Sequence, residues 1–256
     1  MKLTHRNYFS KKANLEYMGV SQFKSFERCQ YSALAELNGE YEREETKALL
    51  VGSYVDAHFE GTLEKFRAAY PEIFKRDGTL KAEYTQAEAI IKRIERDKLF
   101  SEYMSGKPQV IMTGEISGVP VKIKVDSLHP DKIVDLKIMR DFENIYVDEK
   151  GSVPYFEAWG YDLQAAVYQE IVRQNTGKTL PFYLAAATKE KEPDIDIVHI
   201  NPRSIEYALD RFTANVELYD AIKKGIVEPE RCEKCDYCKK TKVLTQPTDS
   251  EEYYLF

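Results

Sequence analysis

The stretch Val119–Met139 constrains this chain most. It reads as two strands, Val119–Leu128 and Ile133–Met139, joined by the turn His129-Pro130-Asp131-Lys132. Both runs alternate apolar and polar residues with period two, as half-buried strands do. A hairpin closed by those four turn residues sets Leu128 opposite Ile133. Counting outward, Asp126 then faces Asp135, and Lys124 faces Lys137. Directly opposed side chains have Cβ atoms roughly 4.5–5.5 Å apart. Two carboxylates at that spacing repel each other unless a cation joins them. The D…D-x-K arrangement of Asp126, Asp135 and Lys137 therefore points to a divalent-metal site with a lysine beside it.

The 256 residues suffice for one large domain or two small ones, and 43% hydrophobic residues allow a sizeable core. No apolar run approaches the roughly 18 residues of a membrane span. The opening residues, Met1 to Tyr8, lack the apolar core of a signal peptide, so an intracellular protein is the expectation. A net charge of −6 argues against a protein that coats nucleic acid by bulk charge. It leaves room for an enzyme that holds DNA through metal ions and a local basic surface. Between Lys223 and Lys242 seven basic residues stand against four acids, one candidate for that surface. The bland alternative is a solvated face.

Cysteine use is asymmetric. Cys29 stands alone, while Cys232, Cys235 and Cys238 form C-x2-C-x2-C. In an intracellular chain this spacing reads as metal ligation, not disulfides. Three cysteines spaced three apart resemble the ligand run of a [4Fe–4S] cluster with a remote fourth ligand. The expectation is such a cluster with Cys29 as that ligand, zinc being the alternative. The bland reading is three clustered thiols and a buried core cysteine. A cluster would staple the two ends of the chain into one unit.

Along the chain, Ser21 is a good N-cap for a helix to Asn38-Gly39, with Cys29 in mid-helix. The acidic stretch Glu40–Glu45 reads as a loop. A second helix runs from Thr46 to Tyr70, where Pro71 stops it. Ala48, Val51, Val55 and His58 share one stripe of it, which points His58 inward. A charged helix covers Tyr84 to Phe100, and Val110–Glu115 reads as a strand before the hairpin. Asp141–Ser152 is expected to be a polar loop. Pro154 opens a long helix to Gln174, in which Tyr161, Gln164 and Tyr168 share a face. Gln164 is either a solvated amide or directed at phosphate or a metal-bound water. Phe182–Thr188 and Asp194–Ile200 are paired strands, and Asn201-Pro202 opens a last helix to Lys224. The tail Thr245–Phe256 is expected to fray. His5, His129 and His199 read as surface residues, and Glu115 as structural or an accessory acid. One α/β (α+β) domain with a helical N-terminal layer is the economical architecture.

An acidic strand residue, D-x-K on the next strand and Q-x3-Y on the following helix together resemble the PD-(D/E)xK nuclease superfamily. The resemblance is closest to its RecB/RecE/lambda-exonuclease-like branch. Gly52-Ser53-Tyr54-Val55-Asp56-Ala57-His58 looks like the branch's G-x5-H helix. The lone cysteine with three C-terminal ones is similar to iron–sulfur nucleases of AddB-type and CRISPR-associated kinds. Tyr17 through Cys29 and the order of elements look most like phage and prophage RecE-type exonucleases. The likeness spans residues 17–240. It departs in three places: Pro130-Asp131 lies in the turn and is a decoy, Ile138 stands where Ser or Thr often follows the lysine, and the last cysteines are closely spaced.

The resemblance implies a restriction-endonuclease-like core, a mixed central sheet flanked by helices, within a single nuclease domain over 1–244. That domain divides into N-terminal helices (21–70), a catalytic core (108–200) and the C-terminal helix with the cysteines (202–240). It implies Mg2+ or Mn2+ held by Asp126 and Asp135, with the Leu136 carbonyl and His58 as further ligands. Lys137 would position or help deprotonate water, with burial and carboxylates pulling its pKa in opposite directions. Gln164 would orient water or phosphate, Tyr168 would support it, and Lys124 is a candidate phosphate contact. The implied activity is 5′→3′ digestion of linear double-stranded DNA, leaving 3′ tails for a RecT-like annealing partner. A trimeric or tetrameric ring in a bacterial cytoplasm, phage or prophage encoded, completes that expectation. The rival readings are a single-strand or flap nuclease of repair or CRISPR adaptation, and a catalytically silent DNA-binding scaffold or zinc-stapled interaction protein.

Overall fold

The computed structural model describes residues 1–42, 47–148, 150–247 and 249–250. The alternating runs build the middle of a sheet. β1 (Lys107–Ile116) pairs antiparallel with β2 (Val119–Leu128), which turns into β3 (Ile133–Met139). β4 (Ile145–Val147) and β5 (Gly151–Val153) form a separate small hairpin inside the expected polar loop. β6 (Phe182–Thr188) lies parallel to β3, and β7 (Ile195–His199) antiparallel to β6. The sheet order β1-β2-β3-β6-β7 is mixed, so the α/β class read from the sequence is the observed one. Central strand β3 sends Ile133 and Met139 into one apolar cluster and Val134 and Leu136 into another. That is the two-residue alternation of a strand covered on both faces.

The hairpin keeps its expected start, Leu128↔Ile133, and then opens. Pairing is confined to that pair and Ser127↔Val134. Both pairs keep the counted register, but the backbone ladder stops before Asp126 and Asp135, whose carboxyl groups still meet. The Asp126 carboxylate takes the N–H of Leu136 instead, at 3.0 Å, and a side-chain bond replaces the backbone ladder.

The helices are more broken than the sequence periodicity suggests. They run α1 (Lys11–Glu16), α2 (Val20–Arg28), α3 (Gln30–Asn38), α4 (Lys47–Phe59), α5 (Leu63–Ala69), α6 (Ala82–Arg96) and α7 (Lys98–Met104). Beyond the hairpin come α8 (Tyr155–Ala158), α9 (Tyr161–Thr176), α10 (Pro202–Lys223) and α11 (Asp236–Lys240). Cys29 is not in mid-helix. It adopts extended backbone, ends α2 through its N–H to Ser25, and caps α3 with its sulfur. Gly19, not Ser21, precedes α2 as its N-cap. Gly61, at φ 71°, separates α4 from α5, and Gly160, at φ 62°, separates α8 from α9. Both breaks need the left-handed backbone that glycine adopts without strain. Asp97 caps α7 by accepting the Phe100 N–H at 2.9 Å, which splits the expected Tyr84–Phe100 helix. Asn201 caps α10 as read. The acidic loop at Glu40–Glu45, the helix start at Thr46, the Ala48 side chain and the tail from Thr245 lie wholly or partly outside the described residues.

Helices α2, α9 and α10 cover one face of the sheet, while α4 and α6 cover the other. Helix α9 fully buries Leu163, Val167, Ile171 and Val172, each worth about 1.5–3 kcal/mol. This anchorage fixes the rotation of α9, and with it the direction of Gln164. No helix among the described residues is long and apolar enough to cross a membrane.

Candidate active site

Where β2 and β3 part, a pocket of about 630 Å3 opens between the strands and helices α2, α4 and α9. Asp135 lies at its base, 1% exposed. One carboxylate oxygen accepts from Gln164 Nε2 at 2.6 Å, and the other accepts from the Lys137 ammonium. Lys137 also donates to the Leu136 carbonyl at 3.1 Å and stands 5.6 Å from the Tyr161 ring centroid. Asp126 accepts from the Leu136 N–H and, at 3.1 Å, from Gln109 Nε2. Gln109 holds left-handed backbone at φ 51°, and its buried Oε1 has no hydrogen-bond partner. Tyr168 donates its hydroxyl to the Lys124 carbonyl at 3.1 Å, tying α9 to β2. Tyr161, Gln164 and Tyr168 all line the pocket.

The charges in this pocket are strained against one another. Burial pushes the Asp135 carboxyl up, Lys137 pulls it back and Asp126 raises it again, leaving it near 7. A third carboxylate, Asp56 of α4, is raised well above its ordinary value by burial and then by Asp126, against the pull of Lys137. For Lys137, burial lowers the pKa, but Asp135 and Asp126 outweigh it and the ammonium is held above its usual range. The competition left open by the sequence thus goes to the carboxylates. Three acids crowd around one lysine, and without a further cation Asp56 and Asp135 are pushed toward their neutral forms. Hard divalent cations take carboxylate and carbonyl oxygens as ligands. Asp56, Asp126, Asp135 and the Leu136 carbonyl are a donor set that fits one.

His58 does not enter this pocket. Its Nε2 lies 2.9 Å from Glu95 of α6, and both side chains are partly exposed. Val51 and Val55 are buried as the stripe requires, but the histidine at its end swings toward α6. Asp56, two positions earlier, faces the site instead. Its signal in the sequence is a lone acid between apolar Val55 and Ala57. Lys24 of α2 was also hidden. It donates to the Trp159 carbonyl at 2.9 Å and sits 5.3 Å from the Tyr161 ring centroid. Burial, and then Lys137, lower its pKa to about 8.

Lys124 lines the pocket 3.6 Å from Glu60, while Lys122 is buried and bonded to Tyr8 and Asn14. Glu115 is exposed on β1, its backbone bonded by Gln174, and takes no part in the pocket. His129 is not a free surface group: its Nε2 lies 2.8 Å from the Tyr103 carbonyl and 3.2 Å from Ser127 Oγ. His199 lies against Tyr183. The basic stretch is partly spent on structure. Lys223 is buried against Tyr17 and Gln22, Lys224 pairs with Asp220, and Arg231 pairs with Glu233. Lys234, Lys239, Lys240 and Lys242 remain exposed.

The break at Cys29 brings its sulfur to those of Cys232, Cys235 and Cys238. None of the four is in a disulfide.

Two acids and a lysine on adjoining strands, met by a glutamine from the helix after them, define an enzyme of the PD-(D/E)xK nuclease class. Residues 19–241 match a family described as a PDDEXK-like domain of unknown function (DUF3799), and the chain belongs to that family. It is also similar to a crystal structure from Eubacterium rectale described as a "putative exonuclease". The two share 49% identity over 99% of this chain and 98% of that one, with a TM-score of 0.94. No curated protein matches the chain.

Proposed function

We propose that this protein is a metal-dependent deoxyribonuclease, an exonuclease that hydrolyses linear double-stranded DNA. The observation that carries the reading is Asp135, buried and held between Gln164 and Lys137 beside Asp126. Mg2+ or Mn2+, held by Asp126, Asp135, Asp56 and the Leu136 carbonyl, would supply Lewis-acid stabilisation of the phosphoryl group and an activated water. Lys137, whose neighbouring carboxylates favour its ammonium form, balances charge on the phosphate and positions the water. Gln164 fixes the Asp135 carboxylate through its amide nitrogen, which leaves its oxygen to orient water. Tyr168 holds α9 against β2, so the helix cannot carry Gln164 away. Lys24 and Lys124 flank the pocket and can meet the neighbouring phosphates.

The likeness to RecE-type enzymes supports a finer proposal. Digestion runs 5′→3′ and leaves 3′ tails for a RecT-like annealing protein. The working form is a ring of subunits around the duplex, in the cytoplasm of a bacterium carrying the phage or prophage. Residues 1–244 act as one nuclease domain.

The test compares end-labelled linear duplex with closed circular DNA in Mg2+, for wild type and Lys137→Ala. Loss of the linear form alone, abolished in the variant, supports the proposal. Nicking of the circle makes the protein an endonuclease. A preference for single-stranded or forked DNA moves it to the repair type. No cleavage by well-folded protein leaves a DNA-binding module.

A further inference from the structure

We infer that Cys29, Cys232, Cys235 and Cys238 hold a single tetrahedral zinc ion, not the iron–sulfur cluster that their spacing suggests. The inference is independent of the proposed reaction. It rests on the size of the cage. The four sulfurs all lie within 4.8 Å of one another. Cys29 Sγ is 3.6 Å from Cys238 Sγ, and Cys232 Sγ is 4.0 Å from it. Four thiolates about 2.3 Å from one tetrahedral ion stand about 3.8 Å apart, which matches. A [4Fe–4S] cluster gives each thiolate its own iron at a separate corner of a cube. The sulfurs then radiate outward, well beyond the observed span. A [2Fe–2S] cluster separates two pairs of sulfurs in the same way. The distances are also far too long for a disulfide of about 2.05 Å.

The surroundings agree with a closed, single-ion site. Cys29, Cys232 and Cys235 each accept a backbone N–H from the residue three further on, at 3.4, 3.3 and 3.4 Å. Such bonds orient metal-bound thiolates and spread their charge. Tyr31 and Tyr41 pack against Tyr237 at ring-centroid distances of 5.2 and 4.9 Å. Arg231 bonds the Cys238 carbonyl at 2.6 Å and lies 4.5 Å from the Tyr31 ring centroid. Four protein thiolates complete a tetrahedral zinc shell and leave no position for a substrate. The ion therefore acts as a redox-inert clip. It joins the α2–α3 break to the segment around α11, and α2 carries Lys24 into the nuclease pocket.

The experiment uses the full chain, produced with iron and zinc both supplied and purified without oxygen, so that a labile cluster would survive. One zinc per chain, no acid-labile sulfide and no visible colour are expected. Replacing the zinc with Co2+ should give the strong absorption of a tetrahedral cobalt–thiolate centre. Zinc-free protein should melt at a clearly lower temperature, as should Cys238→Ser, while Lys137→Ala should keep its zinc. Iron with matching sulfide would overturn the inference. So would a folded chain with neither metal, a cobalt spectrum of octahedral type, or an unchanged melting temperature without zinc.

Discussion

In the cysteine cluster four sulfurs sit within 4.8 Å of one another. In the acidic pocket Asp56, Asp126 and Asp135 are less gathered, with an ammonium among them. Among the described residues, the cysteines alone draw three or more ligand atoms into so tight a group. The cysteine cage is closed and, with zinc bound, finished. The acidic pocket is open, with a volume of about 630 Å3. Its carboxyl groups repel one another, as the raised pKa values of Asp56 and Asp135 show, and a bound cation would relieve that repulsion. On the proposals above, one region spends its ligands on holding the fold and the other on chemistry.

This contrast can be broken at either end. The largest effect should come from Asp135→Asn, which removes a ligand and the partner of Lys137. Cleavage of linear duplex should fall by about 10^3-fold or more, while thiolate-bound metal stays unchanged. Loss of both would join the two regions into one unit. Next, Cys238→Ser should lower Tm by about 10 °C, since metal binding is folding free energy. An unchanged melting curve would remove the clip. Third, Asp56→Asn should cut the rate by roughly 10-fold and raise the Mg2+ concentration needed, through a lost electrostatic contact. His58→Ala should change the rate by less than about 2-fold, as a surface substitution away from the site. The reverse order would restore the histidine as the ligand.

The smallest effect is on metal-free stability. The Asp135 carboxyl is raised in the fold to about 7 from its ordinary 3.8. Its contribution is therefore fully present at pH below the ordinary value and is lost as pH rises through the folded one. In a chelator, urea midpoints of wild type should fall between pH 5 and 7 relative to those of Asp135→Asn. A constant difference across that range would mean that Lys137 already neutralises the site.

The strands were legible because burial on a sheet writes itself as alternation. β2, β3 and β6 run over the residues the sequence marks, and Leu128 meets Ile133. The helix breaks were not legible. Cys29 interrupts a good amphipathic run because its sulfur is drawn to residues two hundred positions away, which no local pattern records. The β4–β5 hairpin has strands too short to show a period. In α4 the apolar stripe located the buried face but not the adjacent direction, about 100° around the helix from Val55, in which Asp56 points. The opening of the β2–β3 ladder also escaped a count of register, because a side chain, not the backbone, satisfies Leu136.

Trp159 is the chain's one tryptophan, and the residue is 58% exposed while its carbonyl holds Lys24 at the pocket wall. The protein therefore carries a built-in fluorophore beside its own entrance. Any ligand that draws Lys24 away from Trp159 should change the emission, so docking can be followed in real time on unlabelled protein, separately from cleavage.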